Sequence, residues 1–209
     1  MQNKRDSVFF EQFITEDRKE KIGKVLSHRI NRVVLILENI YDRHNISAVI
    51  RSCDGLGFLD LYIVDPNEKI KYSSLITTGA EKWLNIFTFS DINKCYKDLK
   101  EKGYKIYASV LDKKAKGLNK IDIISGKTAF VLGNEHSGLT KEAIKNADAL
   151  FYIPMYGFVQ SFNISVTAAM VLHWSRNILT ENKIYGDLSD NEIEEYKVKW
   201  LSRDLGIKV

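Results

Sequence analysis

The residues most suggestive of chemistry lie late in the chain, in residues 152–169, which read YIPMYGFVQSFNISVTAA. An apolar run there meets Pro154 and then Gly157, so an irregular loop is expected to follow. Ser161 and Asn163 stand just before an apolar helix, where either side chain could act simply as its N-cap. The loop also carries apolar side chains beside these polar groups, namely Ile153, Met155 and Phe162. Apolar walls with a few fixed polar groups are typical of small-molecule pockets, so we predict one around residues 153–163.

A second segment, residues 130–139, reads FVLGNEHSGL and joins a predicted strand to a G-x-E-x-x-G element. Gly133 and Gly138 allow the backbone to turn tightly and to approach a ligand closely. Glu135 could accept hydrogen bonds from a cofactor or orient the loop amides, although a plain turn between strand and helix is the alternative. Because Glu135 replaces the middle glycine of the dinucleotide-binding fingerprint, a nucleotide-dependent oxidoreductase is disfavoured.

A third segment, residues 39–57, contains Asn45 near a predicted helix start and Arg51 six residues later. Asn45 could be an ordinary cap, and an arginine on a helix is ordinarily solvated or ion-paired. The helix is otherwise apolar, however, and it begins at the carboxyl end of a strand, where parallel sheets form their binding sites. Both residues are therefore candidates for function.

Metal and thiol chemistry have little support in the sequence. The four histidines form no H-x-x-x-H pair, and Cys53 and Cys95 have no metal-ligand spacing and form no disulfide framework. We expect no metal site and a reducing compartment.

Composition indicates one ordinary globular domain with short extensions. The 209 residues are 44% hydrophobic and 28% charged, with a net charge of +4. The N-terminus, MQNKRDSVFFEQ, lacks the features of a signal peptide, and no apolar run is long enough to span a bilayer. We therefore expect a cytoplasmic protein that is not bound to membranes.

Short β-branched runs alternate with amphipathic helical stretches along the chain. The predicted strands are residues 33–37, 61–64, 86–89, 104–110, 128–132 and 150–153. The predicted helices are residues 44–57, 90–103 (with Ser90 as N-cap and Gly103 at the end), 140–147 (with Thr140 as N-cap) and 163–179, with 15–30 and 189–204 as terminal additions. This alternation predicts an α/β fold with a mostly parallel sheet and helices on both faces. Ligands bind such sheets at the carboxyl ends of the strands, so the loops after Leu37, Val110, Leu132 and Ile153 are the ones of interest.

The three segments, in this order and spacing, resemble the three motifs of the SpoU class of SPOUT methyltransferases. Within that class the chain resembles the TrmH family of tRNA guanosine-18 2′-O-methyltransferases. The stretches TEDRKEKIGKVLSHRI, LILEN, TTGAEKW and KWLSRDL extend the resemblance over residues 15–205. The resemblance implies a basic helical extension (residues 1–32), a methyltransferase domain with a C-terminal trefoil knot (33–180) and a C-terminal helical extension (181–209).

The resemblance also implies S-adenosylmethionine as the cofactor, bound in a bent form within the knot. By position, the cofactor contacts and pocket residues would be Ser109, Leu132, Gly133, Gly138, Ile153, Pro154, Met155 and Phe162. The residues associated with catalysis and site structure would be Asn45, Arg51, Glu135, Ser161 and Asn163. The family is homodimeric, and Arg51 of one subunit would reach the cofactor of the other. Phe162 stands where similar proteins more often have an aliphatic residue. Residues 134, 136 and 137 lie in the interior of the second motif, which is variable.

The implied reaction is transfer of a methyl group to a 2′-hydroxyl of tRNA, at guanosine 18 of the D-loop. Alternatives are another RNA target, either rRNA or a tRNA wobble nucleotide, and a non-catalytic RNA-binding protein of the same fold. The chain lacks the separate N-terminal RNA-binding domain of the rRNA enzymes and has terminal helices that minimal wobble enzymes lack. Both points favour tRNA, and the intact motif residues argue against loss of catalysis.

Two roles stay open at this point. Arg51 is either the base that removes the hydroxyl proton or a clamp for an RNA phosphate, and a guanidinium that stays protonated suits the clamp better. The basic helix in residues 15–32 is either a tRNA-binding surface or a solvated amphipathic helix.

Overall fold

A computed structural model describes residues 7, 9–67 and 72–207, so the ends of both predicted extensions (residues 1–6, 8 and 208–209) lie outside the described part. Its centre is a seven-stranded sheet in the order β3-β2-β1-β6-β4-β7-β5. The strands are β1 (Val33–Glu38), β2 (Asp60–Val64), β3 (Asn85–Phe89), β4 (Tyr104–Ser109), β5 (Lys116–Gly117), β6 (Lys127–Leu132) and β7 (Ala149–Tyr152). Every pairing between these strands is parallel. The predicted parallel sheet is therefore confirmed, and the two-residue β5, too short to show a periodicity, was not predicted.

Helices lie before, between and after the strands along the chain. They are α1 (Glu16–Leu26), α2 (Arg43–Gly55), α3 (Ser74–Thr77), α4 (Ile92–Glu101), α5 (Lys141–Asn146), α6 (Ile164–Glu181) and α7 (Asp190–Asp204). Short 3-10 turns at Ala80–Trp83 and Leu118–Lys120, like α3, were not predicted. All of the predicted helices are present.

The caps test the sequence predictions residue by residue. Thr140 caps α5 by accepting a hydrogen bond from the Ala143 amide, as predicted. Ser90 was wrong as the cap of α4, because the Asp91 carboxylate accepts the amides of Asn93 and Lys94 instead. A carboxylate one residue closer to the helix reaches two free amides, which satisfies more of the helix end.

Helices cover both faces of the sheet, as the alternation predicted. Alternate residues of β1 point to opposite sides, so Leu35 packs with α2 and α6 while Ile36 packs with α4 and α5. Both β1 side chains are fully buried, which explains why the strand is a continuous apolar run.

The terminal helices form a third apolar cluster beside the sheet. Leu26 of α1 and Trp200 of α7 pack together with Leu59, which precedes β2. Arg29 is fully buried within this region, bonds to Asp54 of α2 and lies 5.0 Å from the centre of the Trp200 ring. The terminal helices therefore attach to the α/β unit through specific side chains. Within the described residues, no helix is long and apolar enough to cross a membrane.

The register of the sheet determines where a site can form. Leu37 of β1 pairs with Leu132 of β6, and Ser109 of β4 pairs with Phe151 of β7. Four strands thus end at one edge, and α2 and α6 both begin there. The segments singled out in the sequence converge on this edge.

Candidate active site

Three predicted residues from three separate segments meet at one carboxylate oxygen. The Asn45 side-chain amide donates to Glu135 Oε1 at 2.8 Å, and the Asn163 amide donates to the same oxygen at 2.9 Å. The Ile164 backbone amide is a third donor at 3.2 Å, and Asn163 also donates to Asn45 Oδ1 at 3.1 Å. We call Asn45, Glu135 and Asn163 the amide–carboxylate cluster. It fixes the relative positions of the first turn of α2, the β6–α5 loop and the start of α6.

The sequence allowed both Asn45 and Asn163 to be plain N-caps, and the observed caps of α2 and α6 test this. Asp42, not Asn45, caps α2 by accepting from the His44 amide, so the buried Asn45 side chain is free to join the cluster. Asn163 does cap α6, since its Oδ1 accepts the Ser165 amide at 2.8 Å. Its amide nitrogen still serves the cluster, so a single side chain has both roles.

The loop that presents Glu135 is a tight closed turn. Asn134 and Gly138 exchange two backbone hydrogen bonds of 3.1 and 2.8 Å, and Gly138 has φ of +68°, which favours glycine. At Gly133 a Cβ would lie 2.5 Å from the Leu139 nitrogen, so only glycine fits. Steric constraints on the loop therefore explain why glycine is needed at both positions that the sequence suggested.

Two residues that hold this loop were missed in the sequence. The Asn134 amide donates to the Asn39 carbonyl, and its oxygen accepts the amides of His136 and Ser137. Glu38, buried at the end of β1, accepts both the amide and the hydroxyl of Thr140. A glutamate that closes an otherwise apolar strand was the available signal for Glu38.

Beside the cluster lies a cavity of about 380 Å³ at the carboxyl ends of β4, β6 and β7. Its lining includes most of the predicted pocket residues, which are Ser109, Gly133, Gly138, Ile153, Met155 and Phe162, together with Glu135 and Ser161. Val110, Leu111, Leu139, Ile144, Gln160 and Thr167 also line it but were not among the predicted contacts. A cavity of this size with mostly apolar walls suits a small organic ligand.

Two residues predicted for the pocket do not line this cavity. Leu132 is fully buried and packs in the core between the sheet and α2 and α6. Pro154 is absent from the lining, although its two neighbours Ile153 and Met155 both belong to it. Asn45 and Asn163 also lie outside the lining, because they contact the ligand cavity only through Glu135.

Arg51 is not brought to the cavity by its own chain. It lies on α2 about 120° around the helix axis from Asn45. Its side chain is exposed and donates to the Ile76 carbonyl at 3.2 Å. Arg51 is therefore not among the residues that line the cavity of its own chain.

Comparison with known proteins decides the family. Residues 32–173 match the model of the SpoU rRNA Methylase family, a span that contains all three motif segments. The chain belongs to the SpoU methylase family. The TrmH resemblance is confirmed as well by relatives named tRNA (guanosine(18)-2'-O)-methyltransferase. The one from Thermus thermophilus is 35% identical over 158 residues, covering 76% of this chain and 81% of that protein. The one from Borreliella burgdorferi is 34% identical over 189 residues, covering 90% and 86%.

A solved structure agrees with the family assignment. The crystal structure of the A. aeolicus TrmH/SpoU tRNA modifying enzyme matches this SpoU-family chain with a TM-score of 0.84 at 32% identity. The match covers 92% of this chain and 98% of that one. The match therefore extends well beyond the family segment of residues 32–173.

Thiol and metal chemistry have no support in the described part of this SpoU-family protein. Burial raises the pKa of Cys53 and of Cys95 to about 12, so neither thiol is a nucleophile at neutral pH. Among the described residues, no cluster of histidine, cysteine and carboxylate side chains could hold a metal ion.

Proposed function

We propose that this SpoU-family protein transfers the methyl group of S-adenosylmethionine to the 2′-hydroxyl of guanosine 18 in tRNA. The observation that carries the proposal is the amide–carboxylate cluster beside the 380 Å³ cavity, formed by residues from all three motifs. The names of relatives at 34–35% identity support tRNA as the substrate.

The cavity fits the cofactor in size and chemistry. Ile153, Met155 and Phe162 offer apolar walls for an adenosine group, and Ser109 offers a hydroxyl. Glu135 places a carboxylate at the wall, where it favours a cationic ligand. When bound, S-adenosylmethionine supplies an activated methyl group on a positively charged sulfur.

The chain's own residues have to align the ribose and release its proton. The amides of Asn45 and Asn163 fix the Glu135 carboxylate at the cavity wall, and a ribose held against that carboxylate would lose freedom of movement. Ser161 lines the cavity from the exposed loop and can donate to or accept from the same sugar. Alignment of the reacting groups, and not a strong base, is the main contribution of this arrangement.

We extend the proposal to a homodimer in which Arg51 reaches the cavity of the partner. Two observations support it. The exposed Arg51 bonds to the Ile76 carbonyl and does not line its own cavity. In the 153–163 loop, Tyr156 and Phe158 are almost fully exposed and Val159 is more than half exposed. Exposed apolar groups of this kind mark interaction surfaces. Arg51 would then clamp an RNA phosphate, because its guanidinium stays protonated.

Further parts of the proposal follow from the family. We propose that the β6–α5 loop and the 153–163 loop take part in a trefoil knot, as the family resemblance implies. We also propose that the extensions (residues 1–32 and 181–209) are helical additions to a methyltransferase domain of residues 33–180, and that the reaction takes place in the cytoplasm.

The experiment that tests the reaction is transfer of tritium from labelled S-adenosylmethionine to purified RNAs. We expect label in unmodified bulk tRNA and none in tRNA from a strain that already carries the modification, or in rRNA. Transfer to rRNA alone, or no transfer to any RNA, would reject the proposed substrate.

A further inference from the structure

A second cavity, of about 200 Å³, meets the cofactor cavity at Glu135. It lies between the β1–α2 loop and the turn that presents Glu135, and its lining is Ile40, Tyr41, Asp42, Asn45, Asn134, Glu135 and His136. Asn134 and Glu135 line both cavities. A group held in the second cavity would therefore sit directly beside the amide–carboxylate cluster.

The side chains at this cavity suit a planar group with hydrogen-bond donors on its edge. Tyr41 is 65% exposed, so its ring has a free surface at the cavity. The Asp42 carboxylate is fixed there, because one of its oxygens accepts the His44 amide at 2.8 Å. Proteins that bind unpaired RNA bases stack them on aromatic rings and read their Watson–Crick edges by hydrogen bonds.

Guanine is the base whose edge matches a carboxylate. Its N1–H and N2–H groups are adjacent donors, and the two oxygens of one carboxylate can accept both. Adenine presents an acceptor at N1 and would face the same carboxylate with an unpaired lone pair.

We propose that this second cavity holds the base of the target nucleotide, with Tyr41 stacking on it and Asp42 selecting guanine. The inference rests on the proposed function and adds to it the cavity and the two residues that recognise the guanine base. With the base in the second cavity and the cofactor in the first, the ribose lies between them at the cluster of Asn45, Glu135 and Asn163.

The first test is Asp42→Asn, which separates recognition from capping. Asparagine caps a helix as well as aspartate does, so α2 is expected to stay intact. The asparagine amide would face the guanine N1–H with a second donor. It can pair with adenine instead, by donating to N1 and accepting from the N6 amino group. We expect the ratio of kcat/KM for transcripts with guanosine 18 over those with adenosine 18 to fall at least about tenfold, the discrimination of one bidentate pair. Equal losses on both transcripts would reveal a structural role and overturn the inference.

The second test is Tyr41→Ala, with Tyr185→Ala as the matched control. Tyr185 is 54% exposed and lies in the connection between α6 and α7, away from both cavities. Loss of one stacking ring is expected to weaken binding of either transcript by about tenfold. Tyr185→Ala is expected to bind as the unaltered protein does. Equal affinities for Tyr41→Ala and Tyr185→Ala would contradict stacking on Tyr41.

Dissociation constants keep the base site and the reaction distinguishable. They are measured for both transcripts with S-adenosylhomocysteine present, so no turnover is needed. If the unaltered protein transfers no methyl group but Asp42→Asn still shifts the ratio of affinities, the proposed reaction fails and the base site stands. If methyl transfer to guanosine 18 occurs and neither ratio shifts, the base site is overturned and the reaction stands. If neither occurs, both are overturned.

Discussion

Glu135 shows what sequence reasoning can and cannot supply at the scale of single residues. Its place in a glycine-containing turn marked it as a candidate, as did the positions of Asn45 and Asn163. Their mutual hydrogen bonds could not be predicted, because Asn45 and Asn163 are separated by 118 residues and meet only through the sheet. Asn45 could not be told from a cap until Asp42 was seen to cap α2.

Glu135→Gln tests the cluster directly. Glutamine keeps the size of the side chain but loses the charge that strengthens three hydrogen bonds, each worth about 1.5–3 kcal/mol. We expect kcat/KM for methyl transfer to fall at least about tenfold and the midpoint of thermal unfolding to drop by several degrees. Glu142→Gln, on the exposed first turn of α5, is the control and should change neither quantity. Unaltered turnover in Glu135→Gln would show that the cluster has no part in the reaction.

At the scale of the elements, the attachment of the terminal helices depends on one buried cation. Arg29 is fully buried, bonds to the Asp54 carboxylate and donates to the Asp54 and Phe58 carbonyls. Arg29 thereby connects α2 to the apolar cluster formed by the terminal helices α1 and α7. The sequence showed Arg29 only as one of six basic residues in a helical stretch, and nothing in that pattern separated it from the exposed ones.

Arg29→Met should therefore destabilise the protein strongly. The methionine retains packing but leaves Asp54 and two carbonyls without their donor. We expect the free energy of unfolding in urea to fall by about 3 kcal/mol, at the lower end for a broken buried pair because Asp54 keeps some access to water. Lys24→Met, an exposed change in α1, is the control and should stay within about 0.5 kcal/mol of the unaltered protein. A similarly small effect for Arg29→Met would mean that the buried pair does not hold the extensions.

The structure also shows which basic side chains of residues 15–32 are free to contact RNA. Arg18, Lys19 and Arg32 are paired with Asp204, Glu16 and Asp187, and Arg29 is buried. Lys21 and Lys24 are exposed, and neither has an ion pair within the described part of the chain. These two lysines are therefore the best candidates on α1 for contacts to RNA phosphates.

Replacing Lys21 and Lys24 together by alanine should weaken binding to every tRNA to a similar degree. Each phosphate contact contributes about 0.9 to the slope of log affinity against log salt, so the slope should become about 2 smaller in magnitude. Lys19→Ala is the control, because its ammonium is already paired with Glu16. An unchanged slope in the double variant would exclude α1 as the phosphate-binding surface.

The elements themselves were largely predictable because burial on both faces makes the strands continuous apolar runs. Six of the strands and all of the long helices follow from periodicity and turn residues. The short β5 and α3 do not, since two to four residues carry no measurable period. Ser90 and Asp91 could not be distinguished as caps, because the choice between adjacent polar residues depends on backbone geometry. The location of the cavity, at the carboxyl edge of the sheet, was predictable. The contribution of α5 to its lining was not.

At the scale of the whole molecule, the proposed active site requires two chains. In the proposed dimer, Arg51 and the amide–carboxylate cluster of one chain serve two different active sites. A chain altered at Arg51 should therefore complement a chain altered in the cluster. An equal mixture of Arg51→Ala and Glu135→Gln chains, unfolded and refolded together, gives about half mixed dimers with one intact site each. We expect activity to recover to about a quarter of the unaltered level, measured as tritium transfer to tRNA. Recovery no greater than the sum of the two variants alone would indicate that Arg51 acts within its own chain.

The position and atom of methylation test the central claim most directly. Unmodified tRNA is treated with the protein and S-adenosylmethionine, digested with nuclease and analysed by mass spectrometry, alongside a transcript that carries 2′-deoxyguanosine at position 18. We predict one added methyl group on the ribose of guanosine 18 and none on the deoxy transcript. A methyl group on a base, on the ribose of another nucleotide, or on the deoxy transcript would contradict the account.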